Sequence, residues 1–351
     1  MIRVAILGAG IGQQHLNGYR TLPDRYDVRW LCDLDTDRAE AALDGRPGPQ
    51  ITGDMDVVLA DPEIDLIDIC LPPHLHVPMA LRALAAGKHV VCEKPIAPSL
   101  AECDQLEQAE KTSGRRVFPV FQYRYGLGTA QLNALVAAGL AGRPQVAALE
   151  THWNRGADYY AVPWRGTWAG ERGGAVLGHA IHNHDLLCRY FGAPAVVQAQ
   201  LATRINPIET EDCAAISIGF ANGALATSSV TLGAATDTTR LRFVFEHLTA
   251  ESGTVPYAPA EGVWSFTSRD PARQNEVDDV LAALAPPKSG FSGYFEAIAD
   301  ALAGSAGREV TLTDGRRSIE LVTVIYLAAR ARKELALPLP IGSDFYGGWC
   351  P

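Results

Sequence analysis

The sequence predicts an α/β protein in two parts: an N-terminal doubly wound parallel sheet, then an α+β domain with a large, mainly antiparallel open sheet. Three observations predict it. The chain opens on a strand, a glycine turn and a helix (Ile2 to Leu7, Gly8-Ala9-Gly10-Ile11-Gly12, Gln13 to Thr21). Strand-like and helix-like stretches then alternate as far as Phe121. Beyond about residue 123 strand-like runs follow one another directly. With 351 residues, 47% of them apolar, the chain suits two cores, and the expected domains are 1–122 and 123–351.

The first strand and its turn form a phosphate cradle. Gly8, Gly10, Ile11 and Gly12 let the backbone approach a pyrophosphate, while the helix that follows points free N–H groups at it. The third glycine comes one residue earlier than in G-x-G-x-x-G. The next strand, Asp27 to Cys32, ends in Asp33, about 20 residues on, where a carboxylate accepts hydrogen bonds from the adenosine ribose. Asp33, with Asp35 and Asp37, would repel a 2'-phosphate, so NAD is expected over NADP; nearby Arg38 is the one feature that favours NADP.

Alternation continues through Asp65 to Cys70, Leu75 to Ala86, Lys88 to Cys92, Leu100 to Ser113 and Arg116 to Phe121. Ligands of such sheets bind outside the carboxyl ends of the strands. Those ends carry Leu71-Pro72-Pro73-His74-Leu75-His76 and Glu93-Lys94-Pro95. His15 and His76 stand near helix starts, where packing or capping is the commoner role and contact with a cofactor the rarer one.

In the second half the strand-like runs are Gln145 to Trp153, Val196 to Leu201, Cys213 to Phe220, Ala224 to Leu232 and Leu241 to Glu246, with a hairpin signal at Ala221-Asn222-Gly223. After the first of them, HWNRGADYYAVPWRGTWAGERGG holds Trp153, Trp164 and Trp168, three of the six tryptophans, with Tyr159 and Tyr160. Aromatic faces suit the C–H faces of a sugar ring, and this stretch reads as the wall of a polyol site. The plainer reading is that these side chains pin a long loop to the sheet. Arg155, Arg165 and Arg172 would also allow an acidic sugar.

The run GGAVLGHAIHNHD places His179, His182, His184 and Asp185 together. A helix from Val176 to Phe191 separates them: His179 and His182 share a side, and His184 is turned away from His182 by about 200°. Three histidines so placed cannot aim at one ion, an i, i+3 pair is not the usual zinc spacing, and no metal is expected.

With 30 Lys and Arg against 40 Asp and Glu, the net charge is -10, which argues against nucleic acid or an anionic membrane as partner. No apolar run reaches the roughly 18 residues of a membrane span, and the opening run is too short for a signal peptide. The seven cysteines (Cys32, Cys70, Cys92, Cys103, Cys188, Cys213, Cys350) lack any C-x-x-C pair, so a reducing cytoplasm is expected.

The stretch LPPHLHVPMALRALAAGKHVVCEKPIAPSLAE resembles a segment of the Gfo/Idh/MocA oxidoreductases, x-P-x-x-x-H followed by A-G-K-H-V-x-x-E-K-P. FQYRYG (Phe121 to Gly126), the pair Trp164-Arg165 and the closing DGRRSIELVTVIYLAARARKELALPLP are similar to further family segments, so the likeness covers nearly the whole chain. The resemblance implies that Leu71, Pro72, His76, Glu93 and Lys94 meet the cofactor. Lys94 would hydrogen-bond the reacting hydroxyl, with Pro95 fixing its approach through a cis bond. It implies a substrate site drawn from Lys94, Gln122, Arg124, Trp153, Arg155, Trp164, Arg165, His179 and His182.

In that alignment His182 is the catalytic histidine and Asp185 a structural helix partner. Gly178 stands where many relatives carry an aspartate, a gap that His179, the substrate or a water would fill. The expected activity is NAD-dependent oxidation of a secondary hydroxyl of a sugar, cyclitol or sugar derivative, by a homodimer or homotetramer whose subunits join through the second sheet. The competing readings are an NAD-dependent glycosidase, suggested by the missing aspartate, and a non-catalytic NAD-binding sensor.

Overall fold

The computed structural model describes residues 1–305 and 307–350. The chain divides into two compact units, Met1–Phe121 with Phe291–Ile319, and Gln122–Gly290 with Glu320–Pro351. This differs from the contiguous division at 122/123 expected from the sequence, because the first unit takes back a late helix. On that helix, Gly290–Leu302, the Phe295 ring stacks on Tyr19 at 3.8 Å, and the Phe295 carbonyl accepts a hydrogen bond from Tyr26 at 2.7 Å. Nothing in the local sequence around 290 announces a partner more than 260 residues away.

The first unit is built on six parallel strands: β1 (Ile2–Leu7), β2 (Tyr26–Cys32), β3 (Gln50–Thr52), β4 (Leu66–Ile69), β5 (His89–Cys92) and β6 (Val117–Pro119). Their order is β3-β2-β1-β4-β5-β6, with β1 paired to both β2 and β4. The chain thus reverses its winding at β1, which opens the crevice where sheets of this kind take dinucleotides. Val4 to Leu7 and Leu66, Ile67 and Ile69 are fully buried, as befits parallel strands covered on both faces. Between Asp33 and Asp65 the structure adds helices Thr36–Ala42 and Met55–Ala60 and the three-residue edge strand β3, which are too short to leave a periodic signal.

The second unit carries eight strands: β7 (Pro144–Asn154), β8 (Pro194–Ala202), β9 (Cys213–Phe220), β10 (Leu225–Thr231), β11 (Gly233–Phe245), β12 (Leu248–Glu251), β13 (Ser265–Ser268) and β14 (Leu335–Ala336). Their order is β13-β12-β11-β7-β10-β9-β8-β14, and among the described residues only β7 and β10 pair in parallel. The β9–β10 hairpin closes with Gly223 at φ +87°. Alternate residues Ala214, Ile216, Ile218 and Phe220 of β9 are buried, so one face of the sheet is packed.

That packed face receives helix Ile181–Phe191. Phe191 lies against Phe220, Phe243 and Phe245, Asn183 donates to Thr151 Oγ1 at 2.7 Å, and His184 Nε2 meets Ser228 Oγ at 2.9 Å. The sheet therefore fixes the rotation of the helix that bears the histidine run.

Candidate active site

The cradle at the head of β1 is shaped by its glycines. Gly8 has φ +99°, and a Cβ there would meet the Cys70 carbonyl oxygen at 2.5 Å, so no other residue fits. At Gly12, the first residue of helix Gly12–Arg20, a Cβ would meet Ile6 at 2.9 Å, so this early glycine lets the helix close on the strand. Gly10 is different: a Cβ there meets nothing within 4 Å. Its open side, the exposed Ile11 and the free N–H groups of a helix start fit a pyrophosphate.

Asp33, at the end of β2, is buried and accepts from Ala9 N–H at 2.7 Å and from Asp35 N–H at 2.9 Å. Arg38 adds a two-pronged contact through Nε at 3.1 Å and Nη2 at 2.5 Å. Burial opposes the charge, but Arg38 and the two amides outweigh it and hold the carboxyl below its ordinary range. The residue expected to favour NADP is thus neutralised by the residue expected to favour NAD.

At the switch-point side of the sheet, the Lys94–Pro95 peptide is cis. His76 does not offer its ring to a ligand: Nδ1 lies 2.7 Å from the Pro95 carbonyl and Nε2 2.7 Å from the Leu71 carbonyl. It ties together the two strand-end loops that carry Leu71, Pro72 and Lys94. Both ring nitrogens are thus engaged in a clamp between those loops. Burial lowers its pKa against the pull of the two carbonyls, each of which accepts only from a protonated ring nitrogen.

Beneath Lys94 lies a group the sequence did not assemble. Glu93 Oε2 accepts from Lys94 N–H at 3.0 Å, and its Oε1 is 3.1 Å from His15 Nε2. His15 Nδ1 is 2.8 Å from Asp68 Oδ2, which also accepts from Tyr19 OH at 3.0 Å. His15, Asp68 and Cys70 lie close enough to hold a metal ion. Their contacts are instead those of a buried hydrogen-bonded network, in which a histidine bridges two carboxylates.

In the second unit the histidine run begins with one π-helical turn, Val176–Ala180, before the α-helix Ile181–Phe191. The expected uninterrupted α-helix from Val176 is corrected at that turn, a feature frequent at functional sites. Glu211 holds its start: the carboxylate accepts from Gly174 and Val176 N–H and from Tyr326 OH, and burial pushes its pKa up to about 7. His182 stacks on Tyr123 with centroids 4.4 Å apart, whereas His179 meets the Trp153 ring edge-on at 5.2 Å. His184 faces the sheet, where burial lowers its pKa to about 4.

Arg124, expected at the substrate, anchors the histidine helix. Its Nε and Nη2 reach Asp185 at 2.7 and 2.6 Å, with both side chains buried, so it anchors the helix through Asp185. Gln122 opens the same short turn, Gln122–Arg124, and its Oε1 is buried with no hydrogen-bond partner among the described residues.

The aromatic stretch forms a wall around one guanidinium. Arg155 lies over Trp153, Tyr159 and Tyr257 at 5.0 to 5.5 Å and hydrogen-bonds Asp237 at 3.0 Å and Tyr257 at 2.8 Å. Arg165 stacks 3.9 Å over Tyr159 and 5.4 Å from Trp164 and donates to the Tyr159 carbonyl, so Trp164 and Arg165 brace the loop. Sequence reasoning missed Asp237, on β11, and Tyr257, from a distant loop. It also missed Glu171, a buried carboxylate in the glycine-rich segment. The charge on Glu171, second to burial, raises the pKa of both Tyr159 and Tyr160.

A six-stranded sheet with this order, a glycine cradle at β1 and an acid at the end of β2 define a dinucleotide-binding protein with a separate sheet domain. The chain belongs to the Gfo/Idh/MocA family. Residues 2–121 match its oxidoreductase, NAD-binding Rossmann-fold model, and residues 129–251 match its C-terminal domain. An uncharacterized oxidoreductase of Schizosaccharomyces pombe is 31% identical over 221 residues, 60% of this chain and 58% of that one. Inositol 2-dehydrogenase of Salmonella typhimurium is 32% identical over 146 residues, 41% of this chain and 44% of the other. The chain thus spans less than two thirds of the length of these curated relatives. The WlbA dehydrogenase of Chromobacterium violaceum, solved with NADH and UDP-GlcNAcA, superposes with a TM-score of 0.84 at 28% identity, covering 97% of this chain and 96% of that one.

Proposed function

We propose that this protein oxidises a secondary hydroxyl of a sugar, cyclitol or sugar derivative with NAD as the acceptor. The observation that carries the reading is Lys94 at the carboxyl end of β5, its backbone fixed by Glu93, on the side of the sheet where dinucleotides bind. Bound NAD supplies the hydride acceptor at nicotinamide C4. Lys94 donates to the substrate oxygen. His182 removes the hydroxyl proton as general base, and the carbon that loses its hydride becomes a carbonyl. His179, one helical turn before His182 and edge-on to Trp153, lines the substrate side with it.

The wall of Trp153, Tyr159 and Tyr257 suits the C–H face of a pyranose or cyclitol ring. Because Asp237 balances Arg155, an uncharged ring suits that wall better than an acidic one. The outward face of the second sheet, with Val146 and Leu225 exposed, supports subunit pairing, which light scattering tests.

A screen of free sugars, cyclitols, sugar acids and nucleotide sugars with NAD and NADP, followed by absorbance of the reduced cofactor, tests the reading. Lys94→Ala is expected to bind NAD normally and to lose turnover. Full turnover by that variant would overturn the assignment.

A further inference from the structure

Gly178 leaves the helix face shared with His182 without a side chain. An ideal Cβ built on Gly178 has one neighbour within 4 Å, and that neighbour is Glu171 Oε1, at 3.8 Å. The space a residue-178 side chain would enter is therefore bordered by a carboxylate arriving from another segment. Residues 178 and 182 stand one turn apart on one side of the helix, so this carboxylate lies on the His182 face.

Glu171 is held there by its loop. Its N–H donates to the Thr167 carbonyl at 3.0 Å, and its Oε2 accepts from Gly166 N–H at 2.6 Å. Gly166 has φ +69°, and Arg172, immediately after Glu171, has φ +67°. The Arg172 carbonyl accepts from Trp349 Nε1 at 2.6 Å. At Gly170 a Cβ would meet the Trp164 carbonyl oxygen at 2.5 Å, so the turn is closed down to backbone contact. The carboxylate is 8% exposed, and the Gly166 amide fixes one of its oxygens while the other points toward residue 178.

We propose that Glu171 is the active-site carboxylate of this enzyme, filling from the Gly166–Gly173 loop the position that an acidic side chain at residue 178 would otherwise occupy. The proposal rests on the reading of His182 as the base. Glu171 transfers no atom. From the side of the helix that His182 shares with residue 178, its fixed negative charge offsets the positive charge that develops on the imidazole as that ring takes the hydroxyl proton. The pairing explains why residue 178 is glycine: a carboxylate at 178 would confront Glu171 with like charge.

The test is a double-mutant cycle of Glu171→Gln and Gly178→Asp, assayed with whichever polyol or sugar the wild type oxidises. Glu171→Gln keeps the acceptor for Gly166 N–H and removes the charge. It is expected to lower kcat at least about 10-fold, with KM changed less than about threefold, because the interaction strengthens only in the transition state. NAD affinity, read by nucleotide fluorescence, and the melting temperature should not move. Gly178→Asp alone is expected to lower activity, whereas in the Glu171→Gln background it should restore much of the lost kcat. Normal turnover by Glu171→Gln, or absence of rescue by Gly178→Asp, would overturn the carboxylate assignment while leaving the dehydrogenase reading intact. Absence of NAD reduction by the wild type with every sugar and cyclitol would overturn both.

Discussion

His15 stands between two carboxylates, Asp68 at 2.8 Å from Nδ1 and Glu93 at 3.1 Å from Nε2, and is fully buried. Burial alone would discharge the ring, but the facing Asp68 outweighs it and holds the pKa well above the ordinary value. In the unfolded chain the ring titrates near 6.5. The charge network therefore contributes its full stability below about pH 6.5 and loses it as pH rises through the folded value. Replacing His15 by Gln is expected to cost about 3 kcal/mol at pH 6, with the difference shrinking toward pH 9, in urea denaturation. A difference independent of pH would refute a charged ring.

The buried pair of Arg124 and Asp185 fixes the helix that bears His182. Arg124→Met leaves an uncompensated carboxylate and should cost about 3 to 5 kcal/mol. The double variant with Asp185→Leu removes both charges and should recover most of that loss. Chemical denaturation of both proteins checks it, and an additive loss would contradict the pairing.

Gly8 and Gly10 should respond in opposite ways. Gly8→Ala meets backbone at 2.5 Å in a left-handed conformation and is expected to lower stability by about 1 to 3 kcal/mol. Gly10→Ala meets no protein atom, so its melting curve should match the wild type within about 0.5 kcal/mol. NAD affinity should nevertheless fall about 10-fold or more, because the methyl group enters the phosphate cradle. Calorimetric titration with NAD checks the second outcome, and unchanged affinity would move the pyrophosphate away from Gly10.

Replacing Asp33 by Ser removes the ribose acceptor and frees the Arg38 guanidinium, which now binds that carboxylate through two nitrogens. The ratio of kcat/KM for NAD over NADP should fall about 10-fold or more, as a ribose acceptor is lost and a phosphate partner appears. An unchanged ratio would show that Asp33 does not set the choice.

Much of the fold was legible because its signals are local. The helix Leu100–Ser113 and the strand Cys213–Phe220 have the boundaries their periodicity predicts. The strand Leu248–Glu251 and the pair Leu335–Ala336 escaped notice because two to four residues carry no period. The returning helix Gly290–Leu302 escaped for another reason: its partners Tyr19 and Tyr26 lie at the opposite end of the chain. Within the site, the separation of His182 from His184 followed from helix register and the choice of His182 from the family resemblance, whereas the clamp by His76 and the anchoring by Arg124 followed from neither.

By itself the sequence pointed to the parallel-sheet first domain, the glycine cradle and the acid at the end of the second strand, while its resemblance to the family singled out the lysine and histidine of the proposed chemistry. The first three are residue types at spacings that the backbone converts directly into geometry. Only the tertiary structure decided which carboxylates serve them. Glu93 is bound to His15, Asp185 to Arg124, and Glu171 borders the space opposite Gly178. A charged side chain takes its role from the opposite or like charge it is buried beside, and that neighbour is chosen by packing between segments far apart in the chain.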